Sequence, residues 1–221
     1  RLAHEPVAYI TGTQEFYGLD LIVSPAVLIP RSDSETLIEA AREAFMDHTP
    51  RRILDLGTGS GCLLIALLKE LSGATGLGTD VSQGALETAR FNATRNGVGD
   101  RADFIPSDWE KAIEGRFDVI VSNPPYIPTA IWAELEAGIR DHEPSLALDG
   151  GVDGLDAIRA IAAGANSHLA PGGWLLLEHH HDQSSAVLAL LMAAGLEQVE
   201  AHRDLEGVWR FASGRRPGAT P

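Results

Sequence analysis

The run Ile53–Leu54–Asp55–Leu56–Gly57–Thr58–Gly59–Ser60–Gly61 decides the fold. A short apolar stretch breaks into a glycine-rich turn, and Cys62–Leu63–Leu64–Ile65–Ala66–Leu67–Leu68 follows at once, apolar nearly all round. The expected structure is a buried strand, a turn whose glycines let the backbone approach a ligand, and a deeply packed helix. The helix start would present unpaired N–H groups at the turn. The G-x-G-x-G spacing is neither the dinucleotide pattern G-x-G-x-x-G nor a phosphate loop followed by Gly-Lys-Ser/Thr. Taken alone, the turn is weak evidence for a ligand, and tight packing is the lesser alternative.

Working outward, short β-rich apolar runs alternate with amphipathic stretches of helical length, the pattern of a mostly parallel sheet flanked by helices. The candidate strands are Arg52–Leu56, Gly76–Asp80, Asp103–Pro106, Phe117–Ser122, Gly173–Glu178, Glu197–Ala201 and Val208–Ser213. Candidate helices are Gly61–Leu71, Gln83–Asn96, Gly154–His168 and Gln183–Ala194. The last two strands have only a loop between them, which predicts an antiparallel pair at one edge. Ahead of this core, Thr11–Leu28 reads as a hairpin: Gln14–Tyr17, a turn at Gly18–Leu19–Asp20, then the alternating Leu21 and Val23. A helix should run from Asp33 or Ser34 to Phe45, its start rich in capping and acidic residues. Gly214–Pro221 reads as a frayed tail.

Composition narrows the function. The 221 residues are 44% hydrophobic and 22% charged, ordinary for a globular α/β chain, and 31 acidic against 17 basic residues give a formal charge of −14. A surface of that sign disfavours generic nucleic-acid binding. Cys62 is the single cysteine, so an intrachain disulfide and a multi-cysteine metal site are excluded, and a cytoplasmic home is expected. No apolar run approaches the roughly 20 residues needed to span a bilayer. The chain opens at Arg1 without a methionine, so upstream residues are expected to be missing; residues 1–32 are read as a linker and hairpin, 33–216 as the main domain and 217–221 as tail.

Three further clusters follow strand ends. Asp80 would accept hydrogen bonds from two ribose hydroxyls, or cap the helix beginning near Ser82. Ser107–Asp108–Trp109 offers a carboxylate and an indole to a purine ring, or forms a capped turn. The sharpest is Ser122–Asn123–Pro124–Pro125–Tyr126. Two prolines stiffen the backbone and remove two donors, leaving nearby carbonyls to accept hydrogen bonds. Asn123 adds a donor and an acceptor, and Tyr126 a flat wall, so a planar NH2 group could be gripped through both hydrogens. The run His179–His180–His181–Asp182 suggests a metal, but residues alternating along a strand would bring at most two ligands together, so no metal is expected. Cys62, His142 and the Asp141–Glu143 group read as packing or solvated loop.

In their order these motifs resemble class I S-adenosylmethionine-dependent methyltransferases, which implies a Rossmann-like, mostly parallel seven-stranded sheet with an antiparallel C-terminal edge strand. Asn123–Pro124–Pro125–Tyr126 resembles the subset that methylates a planar amide or exocyclic amine. Further segments resemble the HemK/PrmC family of release factor glutamine N5-methyltransferases: Glu5–Pro6–Val7–Ala8–Tyr9–Ile10–Thr11–Gly12, Glu15–Phe16–Tyr17–Gly18, Leu28–Ile29–Pro30–Arg31–Ser32–Asp33–Ser34–Glu35 and Leu175–Leu176–Leu177–Glu178–His179. The resemblance implies that Gly57, Thr58, Gly59, Ser60 and Gly61 line the methionine part of S-adenosyl-L-methionine, that Asp80 takes its ribose, and that Asp108 and Trp109 border its adenine. It further implies that Asn123, Pro124, Pro125 and Tyr126 hold the glutamine of the Gly-Gly-Gln loop of class 1 release factors, with Asn123, Pro124 and Tyr126 catalytic, in a monomer. Two positions depart from the family: Ser32 stands where proline is usual, and His180 where glycine is usual. They motivate one alternative, a cofactor-binding protein that has lost activity; the other is an adenine-N6 methyltransferase acting on DNA or RNA.

Overall fold

The computed structural model describes residues 4–45 and 50–218. A short helix α1 (Val7–Thr11) leads into a hairpin of β1 (Thr13–Phe16) and β2 (Leu19–Ile22), and α2 (Glu35–Ala44) follows a 3-10 turn at Ser32–Ser34. Then come β3 (Arg52–Leu56), α3 (Cys62–Glu70), β4 (Thr75–Asp80), α4 (Gln83–Arg95), β5 (Ala102–Pro106) and β6 (Phe117–Ser122). The chain closes with α5 (Ala137–Arg140), α6 (Asp156–His168), β7 (Leu169–Glu178), α7 (Ser184–Ala193), β8 (Glu197–Arg203) and β9 (Trp209–Arg215).

Seven strands form one sheet in the order β5-β4-β3-β6-β7-β9-β8. The pairs from β5 through β7 are parallel, and β9 is antiparallel to both β7 and β8. The expected mostly parallel sheet with an antiparallel C-terminal strand is thus present. Within the edge pair the C-terminal strand is the inner member, because β9 pairs with β7 and leaves β8 outermost. From β3 the chain builds outward to β4 and β5 on one side, then to β6 and β7 on the other. The order reverses between β3 and β6, the place where open α/β sheets leave a crevice at their strand ends.

Both faces are covered, which is why β3 and β6 are nearly continuous apolar runs. Alternate residues point to opposite faces. Ile53, Val119, Val121 and Leu176 pack with α2, α3 and α4, while Leu54, Ile120, Leu175 and Leu177 pack with α6 and α7. Leu63 to Leu68 of α3 are all buried, as the all-round apolar sequence requires. The hairpin is joined to this body through Phe16 and Leu21, both fully buried in the α2–α3–α4 cluster.

Two expectations at the periphery are corrected. The hairpin turn is Tyr17–Gly18, with Phe16 opposite Leu19, so Leu19 and Asp20 belong to β2. Tyr17 takes φ +52°, a left-handed conformation that a tyrosine seldom announces. Gly214 and Arg215 lie in β9 opposite Leu175 and Trp174, and Arg216 N–H donates to the Gly173 carbonyl at 2.8 Å. The supposed tail is therefore strand up to that point, and 219–221 lie outside the described residues. Among the described residues no helix is long and apolar enough to cross a membrane.

Candidate active site

Parallel strands deliver their C-terminal ends to one edge of the sheet, so Gly57 after β3, Asp80 at the end of β4, Ser107 after β5 and Asn123 after β6 meet there. Two adjoining cavities share Gly57, Asp80, Asn123 and Leu146 as walls. The first runs over Thr58, Gly59, Ser60 and Cys62 to Ser34 and Asp55; the second runs to Ser107, Asp108, Trp109 and Pro125.

Glycines shape the turn. Gly57, Gly59 and Gly61 have φ of +70°, +53° and +83°, a region that costs a residue with a Cβ. At Gly61 a Cβ would also stand 3.1 Å from the Ala89 Cβ. Thr58 and Ser60 are buried, and the Thr58 hydroxyl donates to Asp55 Oδ2 at 2.6 Å. Asp55 Oδ1 and Ser60 Oγ are buried without a partner among the described residues. Burial pushes Asp55 up to about 7, against the opposing Thr58 hydrogen bond. Desolvation likewise pushes the Cys62 thiol up to about 12, so Cys62 is no nucleophile at neutral pH.

Asp80 ties two loops together: Oδ2 accepts Gly59 N–H at 3.0 Å, and Oδ1 accepts Ser82 N–H at 2.9 Å. The helix cap is Ser82, whose hydroxyl accepts Ala85 N–H at 3.2 Å, so Asp80 is spared that role. Ser107 donates its hydroxyl to the Trp109 carbonyl at 2.6 Å, and Trp109 takes φ +52°. The turn holds the indole against Gly57, where a Cβ would stand 3.6 Å from the ring. Asp108 is exposed and ion-paired to Lys111.

Asn123 is brought to the junction of both cavities, and its Nδ2 donates to Ser34 Oγ at 3.2 Å. Pro125 lines the second cavity. Pro124 is buried and Tyr126 half-buried, and neither lines either cavity. Tyr126 instead packs on the α6–α7 cluster, with its hydroxyl donating to Glu178 Oε1 at 3.0 Å. Burial beside Glu178 raises the phenol pKa. Among the described residues no hydrogen bond ends on the Pro124 carbonyl.

Several residues at this site carry more than the sequence reading assigns them. Glu178 is buried, takes hydrogen bonds from both Tyr126 and Ser34, and has its pKa raised by burial. Glu143, in a group read as packing or solvated loop, is buried and binds Ile29 N–H and Arg31. A signal existed for Asp55 and Glu178: each is a carboxylate in an otherwise apolar central strand. The histidine run lies beyond β7, so strand alternation does not govern it. His179 is buried, while His180 and His181 sit ring to ring at 4.1 Å.

Neither departure distorts the backbone. Arg31 is extended (φ −110°, ψ 142°), the conformation that precedes a proline, so the backbone entering Ser32 is one that a proline would also accept. His180 is not among the residues with positive φ, and needs no glycine. Its N–H donates to Gln183 Oε1 at 2.9 Å.

The chain is 48% identical over 220 residues to the release factor glutamine methyltransferase of Bradyrhizobium diazoefficiens, covering 98% of this chain and 74% of that one. The chain belongs to the release factor glutamine methyltransferase family. As a member of this family it is a methyltransferase. The enzyme of the same name from Agrobacterium fabrum is 47% identical over 98% of this chain and 76% of its own length. Residues 32–133 match the Methyltransferase small domain family. A methyltransferase structure from Pyrococcus furiosus, 21% identical, superposes over 90% of each chain with a TM-score of 0.66, a likeness of fold.

Proposed function

We propose that this chain transfers a methyl group from S-adenosyl-L-methionine to N5 of the glutamine in the Gly-Gly-Gln loop of class 1 release factors. The observation that carries this reading is the position of Asn123. It stands where the two cavities meet, with one N–H spent on Ser34 and its oxygen left to accept.

The lining fits the cofactor. Two buried oxygens without a protein partner, Asp55 Oδ1 and Ser60 Oγ, suit the charged amino-acid end of that molecule. In this reading Gly57 to Gly61 line its methionine part, Asp80 receives the ribose hydroxyls, and Trp109 and Asp108 border the adenine. When bound, it supplies a methyl group already activated on a sulfonium sulfur.

The chain's own task is then orientation. An amide nitrogen is a weak nucleophile because its lone pair is delocalised into the carbonyl. Asn123 Oδ1 and the Pro124 carbonyl accept the two amide hydrogens, favour charge building on nitrogen, and aim it at the methyl carbon. Pro125 borders the amide plane, and Tyr126, held by Glu178 and packed on the α6–α7 cluster, backs the segment. The proton leaves to water after transfer, since no free base lies in the motif. The hairpin segment Thr11–Leu28 serves as a docking element for the rest of the release factor, ahead of the domain formed by 33–216.

The test compares methyl incorporation into intact release factor, its Gly-Gly-Gln loop Gln→Ala variant, the loop peptide, and DNA. Label is expected in intact factor, and poorly in the peptide. Label in DNA, or label persisting in the Gln→Ala protein, would refute the assignment.

A further inference from the structure

We infer that Ser34 and Glu178 are positioning residues that set the orientation of the Asn123 amide, so that its oxygen, and not its NH2 group, faces the incoming substrate amide. The inference rests on the function proposed above. It gives two residues a task that reading leaves out, the choice between the two states of the Asn123 amide.

An asparagine amide turned by 180° occupies the same volume, so only its hydrogen-bond partners choose between the two states. Asn123 Nδ2 reaches Ser34 Oγ at 3.2 Å. A serine hydroxyl carries a single proton, and that of Ser34 goes to Glu178 Oε2. Toward Asn123 the Ser34 oxygen therefore shows only lone pairs, and it can be met only by the NH2 group. The other Glu178 oxygen takes the Tyr126 proton. Both carboxylate oxygens thus act as acceptors, which is what fixes the direction of the chain of donors. Burial raises the Glu178 pKa, and the hydrogen bonds from Ser34 and Tyr126, followed by the charge of Arg210, which is ion-paired to Asp33 and Asp204 at 3.1 Å each, oppose that shift.

Water does not compete for these groups, because Ser34 is 3% and Glu178 2% exposed. The consequence is chemical. A substrate NH2 group needs acceptors, and an inverted Asn123 would set NH2 against NH2. Ser34 and Glu178 lie 144 positions apart, at the start of α2 and the end of β7. The pair therefore couples the α2 entrance and the end of β7 to the β6 loop.

The experiment measures kcat and KM for release factor, and cofactor affinity, for the parent and for Ser34→Ala, Ser34→Thr and Glu178→Gln. Ser34→Ala removes the acceptor for Asn123. Glu178→Gln keeps the volume but replaces one of the two acceptors with an NH2, so that Ser34 or Tyr126 loses the oxygen that takes its proton and the direction of the donor chain is no longer fixed. Both should lower kcat at least tenfold, since a misplacement of about 1 Å costs on the order of a hundredfold. Cofactor affinity and KM should stay within about twofold in both. Ser34→Thr, which restores the hydroxyl, should recover most of the rate lost in Ser34→Ala. In parallel, the Asn123 side-chain NH2 resonances, assigned by their absence in Asn123→Ala, should shift in Ser34→Ala and return in Ser34→Thr.

Parent-like kcat in Ser34→Ala, equal losses in Ser34→Ala and Ser34→Thr, or a loss confined to KM or cofactor affinity overturns the inference. If Glu178→Gln does not fold, the two Ser34 variants and the resonances decide. A parent enzyme that leaves release factor unlabelled overturns the proposed function instead, and unmoved Asn123 resonances in Ser34→Ala then overturn the inference separately.

Discussion

Glu143 Oε2 accepts the backbone N–H of Ile29 at 3.1 Å, across 114 positions of sequence. Its other oxygen pairs with Arg31, and its side chain is 1% exposed. One buried carboxylate thus fastens both ends of Ile29–Pro30–Arg31 over the first cavity. Glu143→Ala strands the Ile29 donor in the core, an event that costs about 1–3 kcal/mol. The urea midpoint should fall accordingly, and Glu143→Gln, which keeps an acceptor, should lose less. A parent-like midpoint for Glu143→Ala would show that Ile29 finds another partner.

That bond marks the boundary of what the sequence makes legible. Arg52–Leu56 and Phe117–Ser122 appear with the expected bounds because strands buried on both faces must be apolar runs. The meeting of Gly57, Asp80 and Asn123 follows from parallel strands ending at one edge. Glu143 escaped because one of its partners is a backbone amide, which carries no residue signature, and the other, Arg31, lies 112 positions away. The Tyr17–Gly18 turn escaped because a left-handed tyrosine has none either. Ser34 and Glu178 are individually visible, but nothing in one dimension joins them.

Asp55 gives the cofactor-free protein a defined pH dependence. In the folded chain it titrates at about 7, against about 3.9 for an unfolded aspartate. The folded state holds that proton more tightly, so the contribution is fully present below about pH 4 and is lost as pH rises through about 7. Asp55→Asn removes the effect. Its Tm should fall less than the parent's between pH 4 and 7. Glu178 shifts in the same direction, so the difference between the two curves is the readout, and parallel curves would place the Asp55 titration outside this range.

Asp80 accepts from Gly59 and Ser82 and still has lone pairs facing both cavities. If those lone pairs receive the ribose hydroxyls, Asp80→Ala removes charge-assisted hydrogen bonds of about 1.5–3 kcal/mol each. Calorimetry should then show S-adenosyl-L-methionine binding weakened about tenfold or more. NAD and ATP should not bind the parent at all. Unchanged affinity in Asp80→Ala would confine Asp80 to bracing Gly59 against Ser82.

Asn123 separates binding from chemistry. Its amide sits at the junction of the cavities rather than deep in either, and its proposed work is done on the substrate amide as charge gathers on nitrogen. Asn123→Ala should therefore reduce kcat by about a hundredfold or more, while cofactor affinity stays near that of the parent. Asn123→Asp is the more discriminating change. It keeps the acceptor and the shape, but it loses the NH2 that Ser34 accepts and sets a negative charge near buried Glu178. If acceptance alone sufficed, Asn123→Asp would outpace Asn123→Ala; if orientation by Ser34 is required, the two should be similarly slow. Single-turnover measurement with saturating cofactor and release factor distinguishes these cases, and parent-like turnover in Asn123→Ala would reduce the whole Asn123–Tyr126 segment to a rigid end for β6.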